Sequence, residues 1–445
     1  MTLLSARPEH RPAASVDRPV PAPTGGPGVP HPAPSHPAPR SAPHPRRHVA
    51  LLVLVLGVLS AIGPLATDLY LPALPDIAAD LGTSEASVKL TLTSVMVGLA
   101  LGQLVAGPLS DRWGRRVPLL VGMAVFTAAT FGCVLVTGVE AFVALRFAQG
   151  LSAAAGLVVS RAVVRDVFEG DAAATFFSRL VLLAGLAPML GPVLGGQLLV
   201  LGPWQLIFTA LGVVGLATLA LVFLALPESL PADRRERTSA AAQLRLFGRL
   251  LRDVRFAGPT LTLALSFGMS FTYISAFSFV SQSRFDATPQ QFSLVFAVTT
   301  LGMIIGNQVN VALVRRVEIH RRLALGLVGS LASVAALPLL EATGLAGLVT
   351  VTAALFAMMV CTGLVSPNAT ALALNGQPPR VAGSGSALLG TVQFGLGSAL
   401  AATAGLGGPV TLSSMAAVMV ATAAGALVVF GVFGVSTFLV HRRER

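Results

Sequence analysis

The chain has 445 residues, of which 54% are hydrophobic and only 11% are charged. Soluble domains carry about 25% charged residues, so a water-soluble globular protein is excluded. The net charge of +11 does not indicate a nucleic-acid partner, because the arginines fall in short connections between apolar runs and near both ends of the chain. Loops that face an anionic membrane surface have this distribution. The composition therefore predicts an all-α protein that crosses the bilayer many times.

Residues 1–48 are rich in proline and nearly free of large apolar side chains, as in "RPVPAPTGGPGVPHPAPSHPAPRSAPHPRRH". A segment of this composition cannot bury a core, so it is predicted to be a disordered cytoplasmic tail. A Pro-rich tail that binds a partner is the alternative. Arg46, Arg47 and His48 then mark the edge of the first span.

Twelve apolar runs follow, each long enough to cross the roughly 30 Å hydrocarbon core as a helix. They cover residues 49–75, 86–109, 117–137, 139–164, 174–200, 204–226, 258–283, 290–314, 321–340, 345–372, 381–406 and 411–439. The longest connection divides them into two halves of six spans each. The predicted domains are a bundle at 49–226, a cytoplasmic linker with a surface helix at 227–257, a second bundle at 258–440 and a cytoplasmic tail at 441–445.

The charges of the connections predict the orientation of the chain. Most arginines of the connections fall on one side of the membrane, and the connections of the other side hold only Lys89 and Arg284. Short basic loops stay on the cytoplasmic side. Both termini are therefore predicted to be cytoplasmic, in a multi-pass protein of the cell membrane.

The connection between the second and third spans combines an acid, glycines and arginines. In "GPLSDRWGRRVPLL" these are Gly107, Asp111, Arg112, Gly114, Arg115 and Arg116. Asp111 can accept hydrogen bonds at a facing helix N-terminus or pair with Arg115, and Asp166 at the end of the fourth span is a further candidate partner. We expect this gating loop to stabilise one state of the protein; an ordinary basic loop is the alternative.

The gating loop resembles the signature loop of the major facilitator superfamily. In the fourth span, "LRFAQGLSAAAG" resembles a second motif of that superfamily, with Arg146, Gln149 and Gly150. "TDLYLPALP" and "SRAVVRDVFEG" are similar to the Bcr/CflA branch of drug/proton antiporters, which includes bicyclomycin and chloramphenicol exporters. In the fifth span, "APMLGPVLGGQL" resembles the motif of proton-coupled drug antiporters through Gly191, Pro192, Gly195 and Gly196. Ala187 stands where that motif usually has glycine.

The resemblance implies the major facilitator fold, in which two six-helix bundles are related by a pseudo-two-fold axis. It implies export of a small hydrophobic drug or antibiotic by alternating access, with the proton gradient as the energy source and with no cofactor or metal. The partners would be the drug, protons and the lipid bilayer, and the protein would be a monomer. The antiporter motif of the fifth span would pack against the eighth span and close a leak.

Asp68 is a carboxylate in the middle of an apolar stretch, "LSAIGPLATDLYLPALPDI", where an ionised acid is costly. It lies about 19 residues from the cytoplasmic edge, or roughly 28 Å along a helix. Arg146 lies roughly 10 Å from the outer surface on the fourth span, so the two opposite charges share a depth. Asp68 is therefore the predicted proton carrier, coupled to Arg146. A structural acid that pairs with Arg146 or caps the turn at Pro72 is the alternative.

Several polar residues within the spans are candidates for the wall of a mainly apolar substrate cavity. The principal candidates are Tyr70, Gln149, Tyr273, Asn307 and Asn368, and further ones are Gln103, Gln308 and Asn310. Hydrogen bonding between helices is the alternative role for each of them.

Other classes of protein fit the sequence less well. All histidines lie in the tail or at predicted cytoplasmic edges, and no span holds a paired-acid, Ser-His or HExxH arrangement, so an enzyme is not expected. Among transporters, the alternatives to drug export are proton-coupled export of an endogenous metabolite and uptake by proton symport.

Overall fold

The computed structural model describes residues 46–168, 170–235, 240–375, 377–378, 381–406 and 408–443. These residues form helices joined by short connections, with no strand among them. Residues 1–45, which make up most of the predicted tail 1–48, lie outside the described residues.

The described helices follow one another along the chain with few interruptions. The first half holds α1 Arg46–Asp68, α2 Leu74–Asp80, α3 Glu85–Trp113, α4 Arg116–Gly132, α5 Val139–Val167, α6 Gly170–Leu201 and α7 Gln205–Ala225. The linker holds α8 Ala240–Arg252. The second half holds α9 Val254–Phe285, α10 Pro289–Leu313, α11 Ile319–Ala342, α12 Leu348–Asn375, α13 Ala382–Ala402 and α14 Leu412–Arg443.

Each predicted span coincides with helix. Eleven spans are long and apolar enough to cross a membrane by length and composition, with α1 and α2 counted as one broken span. The remaining span is α6. Within it, Gly185–Leu201 forms a shorter apolar stretch of helix. The prediction of a helical, multi-pass membrane protein is confirmed. The last helix continues to Arg443, into the predicted tail 441–445.

The first span is broken, although the sequence predicts one continuous helix at 49–75. α1 ends at Asp68, a short 3-10 turn covers Leu71–Ala73, and α2 then continues to Asp80. Pro72 has no N–H to donate to the carbonyl of Asp68, and Pro75 has none to donate to Leu71. The break leaves backbone carbonyls without helical partners, and at membrane depth these need partners elsewhere in the protein.

The two halves pack their helices in the same pattern. In the first half α3 packs on α5, α4 packs on α5 and α7, and α1 packs on α6. In the second half α10 packs on α12, α11 packs on α12 and α14, and α9 packs on α13. The halves meet through α3 against α13 and α6 against α10, so each half contributes equivalent helices to the contact. The predicted pair of six-helix bundles is confirmed.

The helix ends lie on two faces of the protein, named here by their charge. The Arg-rich face is the face of the connection α3–α4, the end of α5 and the linker, and it carries Arg112, Arg115, Arg165 and Arg235. The Arg-poor face is the opposite one and carries the break of the first span, the start of α3 and the connection α9–α10. The surface helix predicted in the linker is α8, whose Phe247 and Leu250 are buried in the core of the second half.

Lys89 was predicted from the sequence to lie in a connection, but the structure places it within a helix. It lies one turn inside α3 and is only 1% exposed. Ser84 caps α3 because its side chain accepts a hydrogen bond from the backbone N–H of Ser87 at 3.2 Å. The helix therefore begins at Glu85 and places Lys89 inside the protein, while Arg284 in the last turn of α9 is exposed.

Candidate functional site

Asp68 is the last residue of α1 and lies at the break of the first span. It is 7% exposed, and no described residue forms a hydrogen bond or an ion pair with its carboxylate. Arg146 is close to this segment, because its guanidinium packs on the ring of Tyr70, two residues after Asp68. A buried acid without a direct partner is a candidate for a group that gains and loses a proton as its surroundings change.

Arg146 is held in the interior of the first bundle and is 0% exposed. Its Nη1 donates a hydrogen bond to Oε1 of Gln149. Its guanidinium lies over the ring of Tyr70, 4.2 Å from the ring centroid, and 5.6 Å from the centroid of Phe208. Its Nε and Nη2 have no hydrogen-bond partner among the described residues. The aromatic rings thus stabilise the buried positive charge of Arg146, while two of its nitrogens keep N–H groups without a partner among the described residues.

Tyr70 and Gln149 lie inside the first bundle and not on a cavity wall, where the sequence analysis places them. Tyr70 is 1% exposed, and its hydroxyl is hydrogen-bonded to Oγ1 of Thr91 at 2.8 Å. Gln149 is 0% exposed and donates to Oγ1 of Thr130 at 2.7 Å. Both side chains contact Arg146, so their structural role is to fix that guanidinium. The direction in which these side chains point was not predicted from the sequence.

The second half contains a counterpart to the Tyr70–Thr91 pair. Tyr273 on α9 is 0% exposed, and its hydroxyl is hydrogen-bonded to Oγ1 of Thr299 on α10 at 2.7 Å. Tyr273 is therefore also a buried interhelical contact. Among the five principal cavity candidates, Asn307 on α10 keeps a half-buried side chain with no hydrogen bond to a described residue.

Asn368 belongs to a buried polar cluster at the Arg-rich side of the second bundle. Its Nδ2 donates to Oδ1 of Asn310 at 2.7 Å and to the carbonyl of Leu364 at 2.7 Å. Nη1 of Arg322 donates to the same Asn310 oxygen at 3.0 Å. Asn368 is buried, and through Asn310 it helps to hold a buried arginine.

Two glycines of the α6 motif pack directly on the break of the first span. A Cβ at Gly191 would lie 3.1 Å from Cβ of Asp68. A Cβ at Gly195 would overlap the carbonyl oxygen of Leu69. The absence of a side chain at both positions is what allows α6 to approach Asp68 so closely.

The other two residues of this motif contact the second bundle. The carbonyl of Pro192 accepts a hydrogen bond from Oγ of Ser293 at 2.7 Å, and the carbonyl of Gly196 accepts one from Nε2 of Gln290 at 3.0 Å. Both donors belong to α10, the eighth span, so the expected packing of α6 against that span is present. The contact with the first span is the part that the sequence analysis does not foresee.

Two carbonyls of the turn in the broken span also bind the second bundle. Leu71 accepts a hydrogen bond from Oγ of Ser278 at 2.6 Å, and Pro72 accepts one from Nε2 of Gln282 at 3.0 Å. Both donors lie on α9. The two halves are therefore joined at the Arg-poor face by four hydrogen bonds that end on α1–α2 or α6.

At the Arg-rich face, Arg115 is the centre of the gating loop. Its Nη1 lies 2.5 Å from Oδ1 of Asp111, and its Nε donates to Oδ2 of Asp166 at 2.9 Å. Burial opposes the charged form of Arg115, but the hydrogen bonds that it donates to Asp166 and Asp111 outweigh this effect and raise the pKa of Arg115 above its ordinary value. The cluster ties together the ends of α3, α4 and α5.

Glu228 is a member of the gating cluster that the sequence analysis misses. Its carboxylate accepts hydrogen bonds from the backbone N–H groups of Arg115 at 2.8 Å and Arg116 at 3.2 Å, at the start of α4. Burial acts against the charge, but these bonds, a bond from Leu230 and the charge of Arg235 lower the pKa of Glu228. An acid directly after the sixth span, at the N-terminus of a neighbouring helix, is the signal that could have identified it.

The remaining residues of the gating loop have different surroundings. Gly114 has a φ of +89°, and a Cβ there would collide with the Glu228 carboxylate, so both the backbone conformation and the space require glycine. Arg112 is exposed, and Nη2 of Arg116 donates to the carbonyl of Phe223 at 2.6 Å. Gly107 has open space around it.

Comparison with known proteins agrees with this architecture. The sequence model of the Major Facilitator Superfamily matches residues 56–402. An uncharacterized MFS-type transporter, YdgK of Bacillus subtilis, is 39% identical and covers 85% of this chain and 94% of its own. A bicyclomycin resistance protein homolog of Haemophilus influenzae is 32% identical and covers 78% of this chain and 87% of its own.

A solved structure shares the fold. The crystal structure of a D-xylose-proton symporter superposes with a TM-score of 0.67 at 14% identity, covering 85% of this chain and 97% of its own. The resemblance to the Bcr/CflA branch is confirmed by the named relatives, and the chain belongs to the major facilitator superfamily of membrane transporters.

Proposed function

We propose that this transporter exports small hydrophobic compounds across the cell membrane in exchange for protons, with Asp68 as the proton carrier. The observation that carries the proposal is the position of Asp68. It is a buried, unpaired carboxylate at a break in the first span, and it lies against the glycine motif of α6 and within electrostatic reach of Arg146. The resistance named for the Haemophilus influenzae relative supports a drug as the substrate.

α6 provides a physical link between the movement of the halves and Asp68. One side of its motif, Gly191, touches Asp68, and the other side, at Pro192 and Gly196, is hydrogen-bonded to α10 of the second bundle. Opening the Arg-poor face requires the bonds between α6 and α10 to break. α6 then shifts against the first span, which changes the access of water to the Asp68 carboxylate.

Arg146 favours the ionised form of Asp68, and this opposes the effect of dehydration. When Asp68 is dehydrated, a bound proton removes the cost of a buried negative charge, whereas the nearby guanidinium and water favour the ionised form. Because Gln149 holds the guanidinium on α5, its effect on Asp68 depends on the movement of the broken span, which carries both Asp68 and Tyr70. A substrate that approaches Asp68 on one side of the cycle and a proton that binds on the other can therefore exchange.

The Arg115 cluster would hold the Arg-rich end of the first bundle together as the halves move. Its ion pairs hold the ends of α3, α4 and α5 together on the side that we assign to the cytoplasm, with both chain termini. The protein would work as a monomer by alternating access, since the substrate site between the bundles belongs to one chain. No cofactor is required, because the proton gradient supplies the energy.

The proposal is tested by drug efflux from bacterial cells and by proton movement in vesicles. Cells that express the protein should accumulate less chloramphenicol or bicyclomycin than control cells, and a protonophore should abolish the difference. In proteoliposomes, addition of the drug should produce a measurable pH change. Efflux that survives loss of the proton gradient contradicts the coupling, and proton-driven accumulation of the drug indicates uptake by symport.

The role of Asp68 is tested with a matched pair of variants. Asp68→Asn should abolish active efflux at normal membrane expression, because the amide cannot bind and release a proton. Asp76→Asn removes a carboxylate from the same broken segment, at an exposed position on α2, and should leave efflux unchanged. Wild-type efflux by Asp68→Asn would place the proton site elsewhere.

A further inference from the structure

Two basic side chains within the spans have no partner among the described residues. Arg161 on α5 forms no hydrogen bond and no ion pair with the described part of the chain. Nζ of Lys89 on α3 likewise has none. An unpaired cation at membrane depth is costly, so such a residue is retained for a function or for a ligand that pairs with it.

Arg161 lies on the side of α5 that approaches the second bundle. It precedes Arg165 by one helical turn on the same side of α5, and Nη1 of Arg165 lies 4.0 Å from the Cβ position of Gly383 on α13. This side of α5 therefore faces the second bundle. Arg161 is open to solvent and is nevertheless desolvated by the protein around it. Arg161 is therefore accessible although protein surrounds it, and it lies toward the Arg-rich end of α5.

Lys89 lies at the opposite end of the contact between the bundles. Its Nζ is 3.8 Å from the Cβ position of Gly405, which follows α13. The charged group that acts on it is Glu85, one turn earlier on α3, and Oε2 of Glu85 already accepts a hydrogen bond from the backbone of Val410 at 2.8 Å. The ammonium is therefore enclosed between the halves with its charge only partly compensated.

The contact between the halves thus has a cation toward each end, with Arg161 toward the Arg-rich face and Lys89 at the Arg-poor face. A permanent cation would meet like charge at Arg161 on the way in and at Lys89 on the way out. Like-charge contact at a site of low dielectric is a strong element of selection against a ligand. A guanidinium in the same place donates paired hydrogen bonds to carboxylate, phenolate or nitro oxygens.

We propose that Arg161 is the specificity-determining residue of the inlet: it binds an electronegative group of a neutral or anionic amphipathic substrate and repels lipophilic cations. This inference rests on the proposed export function and names the substrate class of that site. Lys89 adds to the same selection at the outlet. The rest of the substrate packs on the apolar walls between the bundles.

The test compares three probes of different charge in efflux-deficient cells. The probes are chloramphenicol, which is neutral and carries a nitro group, fusidate, which is a carboxylate, and ethidium, which is a permanent cation. The wild type should export chloramphenicol and fusidate and export ethidium poorly. Arg161→Glu should lower the fusidate rate about tenfold relative to chloramphenicol and raise the ethidium rate, whereas Arg161→Lys should retain fusidate export. Arg315→Glu reverses an exposed charge on the Arg-rich face and should leave all three ratios unchanged.

The outcomes separate the inference from the proposed function. If the wild type exports none of the probes, drug export itself is wrong and this inference falls with it. If chloramphenicol is exported but Arg161→Glu at normal membrane level leaves the fusidate and ethidium ratios at their wild-type values, export stands and selection by Arg161 is wrong. Equal export of ethidium and fusidate by the wild type contradicts the inference as well. If Arg161→Glu fails to reach the membrane, Arg161→Gln provides the test. Loss of the preference for fusidate over ethidium supports the inference, and retention of that preference contradicts it.

Discussion

Gly195 of α6 lies directly against the carbonyl oxygen of Leu69, which is the residue after Asp68. One turn earlier, Gly191 lies against Asp68 itself. These glycines set the distance between α6 and the segment that carries the proposed proton site. The same helix is hydrogen-bonded to the second bundle at Pro192, so a change in its packing is transmitted in both directions.

Gly195→Ala should therefore impair transport strongly. The added methyl group would overlap the Leu69 oxygen and force α6 away from the first span, so we expect at least a tenfold loss of drug efflux. Gly191→Ala should have a smaller effect, because its Cβ would lie 3.1 Å from Cβ of Asp68 and a small shift relieves the contact.

A glycine of the same helix provides the control for this series. Apart from its own helix, no described residue places an atom within 4 Å of the Cβ position of Gly185, so Gly185→Ala should leave efflux unchanged. The measurement is the rate of drug efflux for each variant, divided by the amount of that variant in the membrane. Equal activity of Gly195→Ala and Gly185→Ala would show that close packing at Leu69 is not required.

Depth and residue type were predictable from the sequence, because helical spans have a fixed rise and charges in apolar runs are rare. Asp68, Arg146 and the glycine motif of α6 stand out on this basis, and the structure packs that motif against Asp68. The directions of side chains were less predictable. Tyr70 and Gln149 share the depth of the proposed site but turn into the first bundle, where they hold Arg146. A single sequence with weak helical amphipathicity gives no signal for this choice.

The partners of buried charges were predicted only where they are close in the sequence. Asp111 pairs with Arg115 one turn away, as expected. Glu228 reaches the same loop from the end of the sixth span, and its contact with the start of α4 depends on how α4 and α7 pack. The amides around Arg322 come from α10 and α12 for the same reason. Tertiary packing decides such pairs.

Glu228 should give the protein a pH-dependent contribution to stability. Its pKa in the folded protein is lower than the ordinary 4.5, so its stabilisation is present above about pH 4.5 and is lost as the pH falls through the lower folded value. Glu228→Gln should lower the melting temperature at pH 7, by an amount equivalent to about 1 kcal/mol after allowance for solvent screening.

The measurement is thermal unfolding of the detergent-solubilised protein between pH 3.5 and 7.5. The difference between wild type and Glu228→Gln should shrink toward acidic pH. Asp233→Asn, an exposed acid in the same connection, should show no such difference. A constant difference across the range would mean that the charge of Glu228 does not contribute.

The two faces of the protein should react from opposite sides of the membrane. In a variant whose Cys133 and Cys361 are replaced by alanine, Arg112→Cys lies on the Arg-rich face and Arg284→Cys on the Arg-poor face, both at exposed positions. An impermeant maleimide should label Arg284→Cys in intact cells and Arg112→Cys only in inverted vesicles. The reverse pattern would contradict the orientation, and with it the direction of export.

Lys89→Met should stabilise the contact between the halves at the Arg-poor face. Methionine has nearly the same length as lysine and removes a buried ammonium that has no hydrogen-bond partner among the described residues. We expect a melting temperature higher than that of the wild type and slower efflux, because the state that is closed at this face becomes harder to leave. Arg284→Met, an exposed substitution on the same face, should change neither quantity. A lower melting temperature for Lys89→Met would show that Lys89 is paired in the protein and that its charge supports the contact.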